Sequence, residues 1–222
     1  MHCCMRDTLL SATLVLGTTS VAFSQPSTTR AILIENVRIF DGRASKLSAP
    51  SNVLVTDNLI TTIATTPIAP PDDVVLRRID GGGRTLMPGL IDNHWHTTLV
   101  RPTPAQLLEG DIGYTTILAA AEAESTLLRG FTTVRDLGGA SFGLKRAIDE
   151  GLIVGPRIYP SGAIITVTGG HGDFRSRSEL PRQIGGPLSL MERMGGAMLA
   201  DSPDEVRVRV REQLLLGASQ IK

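Results

Sequence analysis

The spacing of apolar residues divides the chain near residue 86. From about 31 to 80 the apolar runs are short and bounded by turn signals, as in AILIENVRIFDG and VVLRRIDGGG. In NVLVTDNLITTIA, two such runs flank Asp57-Asn58, which predicts a β-hairpin. We therefore predict a small β domain over 25–85, of β-sandwich-like form.

After residue 86 the short apolar runs alternate with helical stretches. The pattern predicts four strands and three helices between them, hence a parallel sheet of βα units over 86–222. A loop rich in Gly, Arg and Ser is expected from about 166 to 201, and a helix should begin at Ser202-Pro203. The predicted strands are LMPGLIDNHWH, FTTVRDLGG, PRIYPSGAII and the start of a fourth in ASQIK; the helices are YTTILAAAEAESTLLRG, FGLKRAIDEG and SPDEVRVRVREQLLLG.

The first 24 residues have the pattern of a secretory signal peptide. A polar start with Arg6 precedes an apolar run over 9–21, and Ala22-Phe23-Ser24 resembles a cleavage site. The alternative is an uncleaved N-terminal anchor. An exported protein, periplasmic or extracellular, is expected. Cys3 and Cys4 both lie in this segment, so the mature chain would depend on its core or a metal rather than on disulfides.

The composition of the chain limits which classes of partner it can bind. The formal net charge is zero and aromatic residues make up 4% of the chain, which argues against a nucleic-acid partner. Beyond the signal peptide, no membrane association is expected.

Two of the four histidines, His94 and His96, close the apolar run that begins at Pro88. Residues two apart on a strand share a face, so both imidazoles would project together while Trp95 points away. Such a pair can bind one metal ion. The alternative is a surface or core pair without a metal.

The histidine pair belongs to the first of four motifs that follow one another along the chain. These motifs are DGGGRTLMPGLIDNHWH, GFTTVRDLGG, GPRIYPSGAIITVTGGHGD and GASQIK. Together they resemble the amidohydrolase superfamily, in its imidazolonepropionase-like and prolidase-like (Xaa-Pro dipeptidase) branch, over 31–222. The resemblance implies the N-terminal portion of a (β/α)8 TIM-like barrel. About four βα units over 86–222 would follow a partial composite β domain.

The resemblance assigns roles to four residues. His94 and His96 match the histidines that bind one metal ion, and Lys222 matches a lysine carboxylated by carbon dioxide that bridges two metals. Two Zn²⁺ ions are implied, although other divalent metals suit such ligands. His171, in the loop after the third strand, would contact substrate. The alternatives are a solvated Lys222 and a flexible surface loop around His171.

Two carboxylates receive structural interpretations. Asp92 is expected to act as a hydrogen-bond acceptor near the histidines rather than as a metal ligand. Arg135 and Asp136 end the second strand, where a local ion pair or a structural hydrogen bond is favoured over catalysis.

The implied reaction is hydrolysis of an amide-type C–N bond by attack of a metal-bound hydroxide on the carbonyl carbon. The resemblance therefore implies a small-molecule or dipeptide substrate. The substrates of this branch include dipeptides ending in proline, N-acyl amino acids and cyclic imidazolone-type amides. A homo-oligomer of the full-length form is compatible with this resemblance.

The chain departs from the family pattern, because two later histidines and an aspartate are missing after Lys222. No catalytic set is therefore complete in this sequence. Two hypotheses follow: the chain is the N-terminal part of an exported amidohydrolase, or it is a truncated, inactive fragment that binds metal only weakly.

Overall fold

A computed structural model describes residues 29–109 and 111–222. The signal peptide expected over 1–24 lies outside the described residues. Within them, no helix has the length and apolar character needed to cross a membrane. The chain divides into two compact units, with the boundary between Met87 and Pro88.

The N-terminal unit is built on one mixed sheet. The predicted hairpin is present, with Asp57 at its turn in the left-handed conformation (φ 52°). The strands are β1 (Arg30–Ile39), β2 (Ser51–Thr56), β3 (Leu59–Ala64), β4 (Val75–Asp80) and β5 (Thr85–Leu86). Their order is β3-β2-β1-β4, and β5 also pairs with β1. Since the described strands join one sheet, the sandwich-like arrangement stays a prediction.

The C-terminal unit has the expected mixed α/β character. Its strands are β6 (Leu90–Trp95), β7 (Phe131–Asp136), β8 (Arg157–Pro160), β9 (Ile164–Thr166) and β10 (Ala197–Leu199). Its helices are α1 (Pro104–Glu109), α2 (Ile112–Leu128), α3 (Phe142–Asp149), α4 (Leu190–Arg193) and α5 (Pro203–Leu215). Strands β6, β7 and β8 form a parallel sheet in that order, and β9 pairs with β10 in parallel.

One face of the β6-β7-β8 sheet packs against α2 and α3. Alternation along β7 buries Val134, while Arg135 is exposed on the opposite face. The buried cluster consists of Ala119, Ala123, Val134, Leu144 and Ile158, with Trp95 packed against it. The core of this unit therefore lies under the helices, and the other sheet face carries the polar side chains.

The predicted N-terminus of α5 is confirmed. Pro203 opens the helix, and the Ser202 hydroxyl accepts the Glu205 backbone N–H at 3.2 Å. This bond satisfies one of the free amides of the first turn.

Two predictions for the later part of the chain are wrong. The expected loop over 166–201 contains β9's last residue, a 3-10 turn at Arg182–Ile184, α4 and β10, because Ser189 and Glu192 form a capping box that starts a helix. The segment 218–222 forms no strand. It makes single bonds to two neighbours, from Ser219 N–H to the Pro160 carbonyl and from Ile165 N–H to the Lys222 carbonyl, rather than a continuous ladder.

The turn into β6 requires a residue without a side chain. A Cβ at Gly89 would overlap the Thr132 side chain. We expect Gly89→Ala to lower the free energy of unfolding by about 1–3 kcal/mol, because β6 and β7 must separate to admit the methyl group. Urea unfolding followed by circular dichroism measures this change.

Gly143 is the matched control. A Cβ there meets nothing within 4 Å, so Gly143→Ala should raise stability by up to about 1 kcal/mol. Equal effects of the two substitutions would contradict the steric explanation. Thr132→Ala removes Oγ1 and Cγ2, the two nearest atoms, and should rescue Gly89→Ala in part.

Candidate metal centre

His94 and His96 lie at the carboxyl end of β6. Their ring centroids are 5.3 Å apart, with the ring planes at 60°. His94 is exposed, and His96, the first residue after the strand, is half-buried. The two imidazoles therefore face each other at the open end of the parallel sheet.

Trp95, between the two histidines, turns the other way into the core. The Arg129 guanidinium lies 6.0 Å from the centre of the Trp95 ring and bonds to Glu122 at 2.5 Å. A cation over an aromatic face adds to the burial of the ring. The back of the strand is thus held by α2, which orients the histidines away from the core.

A β-bulge lies at this strand end. Asp92 pairs with Val134 and Trp95 pairs with Asp136, so three steps along β6 match two along β7. Asn93 and His94 consequently stand against one residue, Arg135. Bulges bend a strand and re-aim its side chains, and they are common next to active sites. Here the strand's simple period of two is interrupted, and the pair is formed across the bulge and the strand end.

The separation of the His94 and His96 rings agrees with the geometry that a shared metal ion requires. Two imidazoles bound to one tetrahedral Zn²⁺ through nitrogens at about 2 Å place their ring centroids roughly 5 Å apart. The observed separation of 5.3 Å fits this arrangement. Within 29–109 and 111–222, no group of three or more His, Cys, Asp or Glu side chains could hold a metal. The described residues therefore place two imidazoles near each other at this strand end, without a third such donor.

Lys222 and His171, the other two predicted residues, influence His96. Burial is the largest cause that lowers the pKa of His96, and electrostatic interactions with His94, Lys222 and His171 lower it further. A lowered pKa keeps the imidazole neutral, which is the form that binds metal.

Lys222 reaches this end through the segment that follows α5. Its carbonyl accepts the Ile165 N–H at 3.0 Å. The Gln220 amide donates to the carbonyls of Asp136 (3.1 Å) and Tyr159 (2.9 Å). Sequence reasoning did not single out Gln220, because nothing in ASQIK distinguishes it from a solvated glutamine.

The loop around His171 is braced by charged side chains. Asp173 accepts the Gly169 N–H at 2.7 Å and two bonds from the Arg175 guanidinium at 2.8 and 2.6 Å. The Arg175 bonds hold the pKa of Asp173 below its usual value. Thr168 is tied in turn to Asp201. His171 itself is exposed on this hydrogen-bonded loop.

The two carboxylates with predicted structural roles are both hydrogen-bond acceptors. Asp92 accepts the His94 backbone N–H at 2.9 Å. Asp136 is fully buried and accepts the Thr97 backbone N–H at 2.9 Å. Among the described residues Asp136 forms no ion pair with Arg135, whose side chain lies on the opposite face of the strand.

Burial raises the pKa of Asp136 to about 6, against the opposing effects of the nearby Ser141 hydroxyl and of Thr97. A carboxyl group in this position resists ionisation, since water cannot solvate the charge.

Comparison with known proteins identifies the class. The amidohydrolase family matches residues 85–222. This match covers more than half of the chain, and the chain belongs to the amidohydrolase family.

Three individual proteins similar to this chain are a fungal ochratoxinase, a prolidase and a Xaa-Pro dipeptidase. Ochratoxinase of Aspergillus niger is 35% identical over 158 residues, which are 62% of this chain and 30% of the relative. A prolidase solved with N-methylphosphonate-L-proline is 34% identical, with a TM-score of 0.75 over 86% of this chain and 46% of the prolidase. A Xaa-Pro dipeptidase with bound methionine is 28% identical, with a TM-score of 0.68 over 86% of this chain and 46% of the dipeptidase. The chain thus spans less than half the length of these relatives.

The brace of the His171 loop is testable. Asp173→Asn removes the charge that holds Arg175, so the loop should open more often and trypsin should cleave after the exposed Arg177 several-fold faster. Limited proteolysis with mass spectrometry measures the rate. Glu150→Gln breaks an exposed ion pair with Arg146 on α3 and should leave this cleavage unchanged. A loop equally resistant in both variants would contradict the bracing role.

Asp136 gives the fold a pH dependence of known sign. Its folded-state pKa of about 6 is raised above the unfolded value, so its contribution to stability is greatest below pH 4 and is lost as the pH rises through 6. Relative to the parent, Asp136→Asn should therefore gain stability between pH 4 and pH 7, by about 2–3 kcal/mol.

Urea unfolding of both proteins across this pH range provides the measurement. A stability difference that does not change with pH would show that Asp136 titrates normally.

Proposed function

We propose that this chain forms part of the active site of a metal-dependent amidohydrolase that cleaves amide-type C–N bonds. The observation that supports this proposal most directly is the pair of neighbouring imidazoles, His94 and His96, at the carboxyl end of a parallel strand. Membership of the amidohydrolase family supports the reaction class. Active sites of β/α barrels lie at this end of the strands.

The proposed architecture is the first part of a (β/α)8 barrel over 86–222, preceded by a small β domain over 25–85. Three parallel strands alternating with α2 and α3 support it, as does the likeness to the prolidase structure. A signal peptide over 1–24 and export of the mature chain belong to the same proposal.

Within this site, His94 and His96 would hold one Zn²⁺, and Lys222, carboxylated on its amine, would take part in holding a second. Bound Zn²⁺ would supply a Lewis acid for the carbonyl group and lower the pKa of water. The donor set fits, because the ring centroids of the two imidazoles lie 5.3 Å apart.

The chain's own residues orient the donors and the substrate. Asp92 holds the backbone of His94, and the packing of Trp95 keeps both rings on the open side. His171, presented on the braced loop, would donate a hydrogen bond to an oxygen of the substrate. Each of these contacts reduces the motion of a group that must meet the reacting bond.

The proposed substrates are dipeptides ending in proline and N-acyl amino acids. The prolidase, the Xaa-Pro dipeptidase and ochratoxinase, all similar to this chain, support this choice. All of these substrates carry an amide-type bond beside a carboxylate.

A second candidate is a metal-binding chain without catalysis. It is favoured by the donor set, since within 29–109 and 111–222 no group of three or more metal-binding side chains is assembled. Two imidazoles hold a divalent ion more weakly than a complete set of ligands.

Zinc binding tests the site itself. Calorimetric titration of the 222-residue chain with Zn²⁺ should show binding that falls at least about tenfold in His96→Ala, since even residues that only support ligands change affinity by this much. His171→Ala, on the braced loop, is the control and should bind Zn²⁺ as the parent does. No binding by the parent would refute the proposed metal site.

Hydrolysis separates the two candidates. Because the described part of the chain brings together two imidazoles without a third such donor, we expect the 222-residue chain with Zn²⁺ to leave Xaa-Pro dipeptides and N-acyl amino acids intact. Zinc- and His96-dependent release of free amino acid would instead favour the enzyme in this chain alone. The DNA following the Lys222 codon gives a further test, since the enzyme hypothesis expects two more histidines and an aspartate. Their absence from every reading frame would contradict it.

A further inference from the structure

Asp136 connects three segments of the candidate site. Its carboxylate Oδ1 accepts the backbone N–H of Thr97, directly after His96. Its carbonyl accepts the Ser161 N–H at 2.9 Å and the Gln220 amide at 3.1 Å. One residue at the end of β7 therefore bonds to the chain after β6, to the chain after β8 and to the segment that carries Lys222.

A carboxylate in this position is costly. Asp136 is fully buried, and its Oδ2 has no hydrogen-bond partner among the described residues. On the same strand face, Val134 packs into the apolar core. Burying an ionisable group costs free energy that an apolar residue would avoid, and such a cost is typical of residues kept for a function.

The bond from Thr97 fixes the backbone on the far side of His96. The His96 carbonyl accepts the N–H groups of Leu99 and Val100 at 3.0 and 3.1 Å, so the turn after the histidine is closed. The chain beyond Asp136 then passes close to the imidazole. Gly138 lies there at φ 141°, and a Cβ on it would be 3.4 Å from His96 Nδ1 and would overlap Ile164.

The chain that follows Asp136 thus passes beside the half-buried His96 ring. The Thr97 anchor determines where the backbone leaves β6, and Gly138 allows the neighbouring chain to approach the ring. Movement of Thr97 away from β7 would change the direction of the His96 side chain and its separation from His94.

We propose that Asp136 is a positioning residue, whose acceptor oxygen holds Thr97 and thereby sets His96 in the geometry needed to bind metal beside His94. The metal part of this inference rests on the proposed function. The role requires an acceptor at this atom, so asparagine can replace aspartate and residues without an acceptor cannot.

The experiment compares variants of the 222-residue chain by calorimetric titration with Zn²⁺. Asp136→Ala should weaken binding about 10- to 100-fold, the usual effect of removing a residue that supports a ligand. Asp136→Asn keeps an acceptor and should bind as the parent does. Asp136→Leu fills the space without an acceptor and replaces the alanine variant if that one does not fold.

Leu199→Ala is the control for lost stability. It removes buried atoms from β10, outside the cluster against which Trp95 packs. It should lower the melting temperature and leave zinc affinity within about threefold of the parent, since separate sites contribute independently. Loss of affinity in Leu199→Ala equal to that in Asp136→Ala would overturn the proposal.

A second readout does not depend on metal. Hydrogen exchange of the Thr97 amide should be slow in the parent and in Asp136→Asn, and at least tenfold faster in Asp136→Ala or Asp136→Leu. If the parent binds no Zn²⁺, the proposed function fails, while the exchange result still decides whether Asp136 holds Thr97. Unchanged exchange and affinity without the acceptor, or failure of both acceptor-free variants to fold, would show that Asp136 does not act as a positioning residue.

Discussion

The packing of Trp95 into the cluster beneath α2 and α3 is the contact on which the candidate site depends. The indole is large and apolar, so its burial fixes which side of the strand end faces the core. His94 and His96 are then left on the opposite side, at the open end of the sheet. The apolar core and the polar site are two faces of one short segment, and the free energy of burying the first orients the second.

Around that segment lies a layer of hydrogen bonds to backbone groups. Asp92 holds the amide of His94, Asp136 holds the amide of Thr97, and Gln220 joins the Lys222 segment to the carbonyls of Asp136 and Tyr159. The Asp92 bond is local, whereas the bonds of Asp136 and Gln220 link chain segments far apart in sequence. The relative positions of the chemical side chains are therefore set by the backbone rather than by contacts among those side chains.

Most of the strands and helices could be predicted from the sequence, because they follow local patterns. The short-range signals are the alternation of apolar residues, the turn at Asp57-Asn58 and the helix start at Ser202-Pro203. The hairpin and the helix α5 that the last two predict are both present. The segment 218–222 has the local pattern of a strand but forms none, since its pairing depends on neighbours that no local pattern encodes. For Asp136 the sequence predicts a local ion pair or a structural hydrogen bond, but not its partner, because Thr97 is 39 positions away.

In a regular strand the same residues must both pair with the neighbouring strand and direct their side chains toward the site. The bulge at Asn93 and His94 assigns these two requirements to different residues. Up to Asp92 the ladder with β7 can be selected for sheet stability alone, and beyond it the direction of the side chains can be selected for chemistry. A designer who grafted His-x-His onto an uninterrupted strand would reproduce the letters and lose the geometry. The transferable unit is the irregular strand end together with the carboxylate that anchors it.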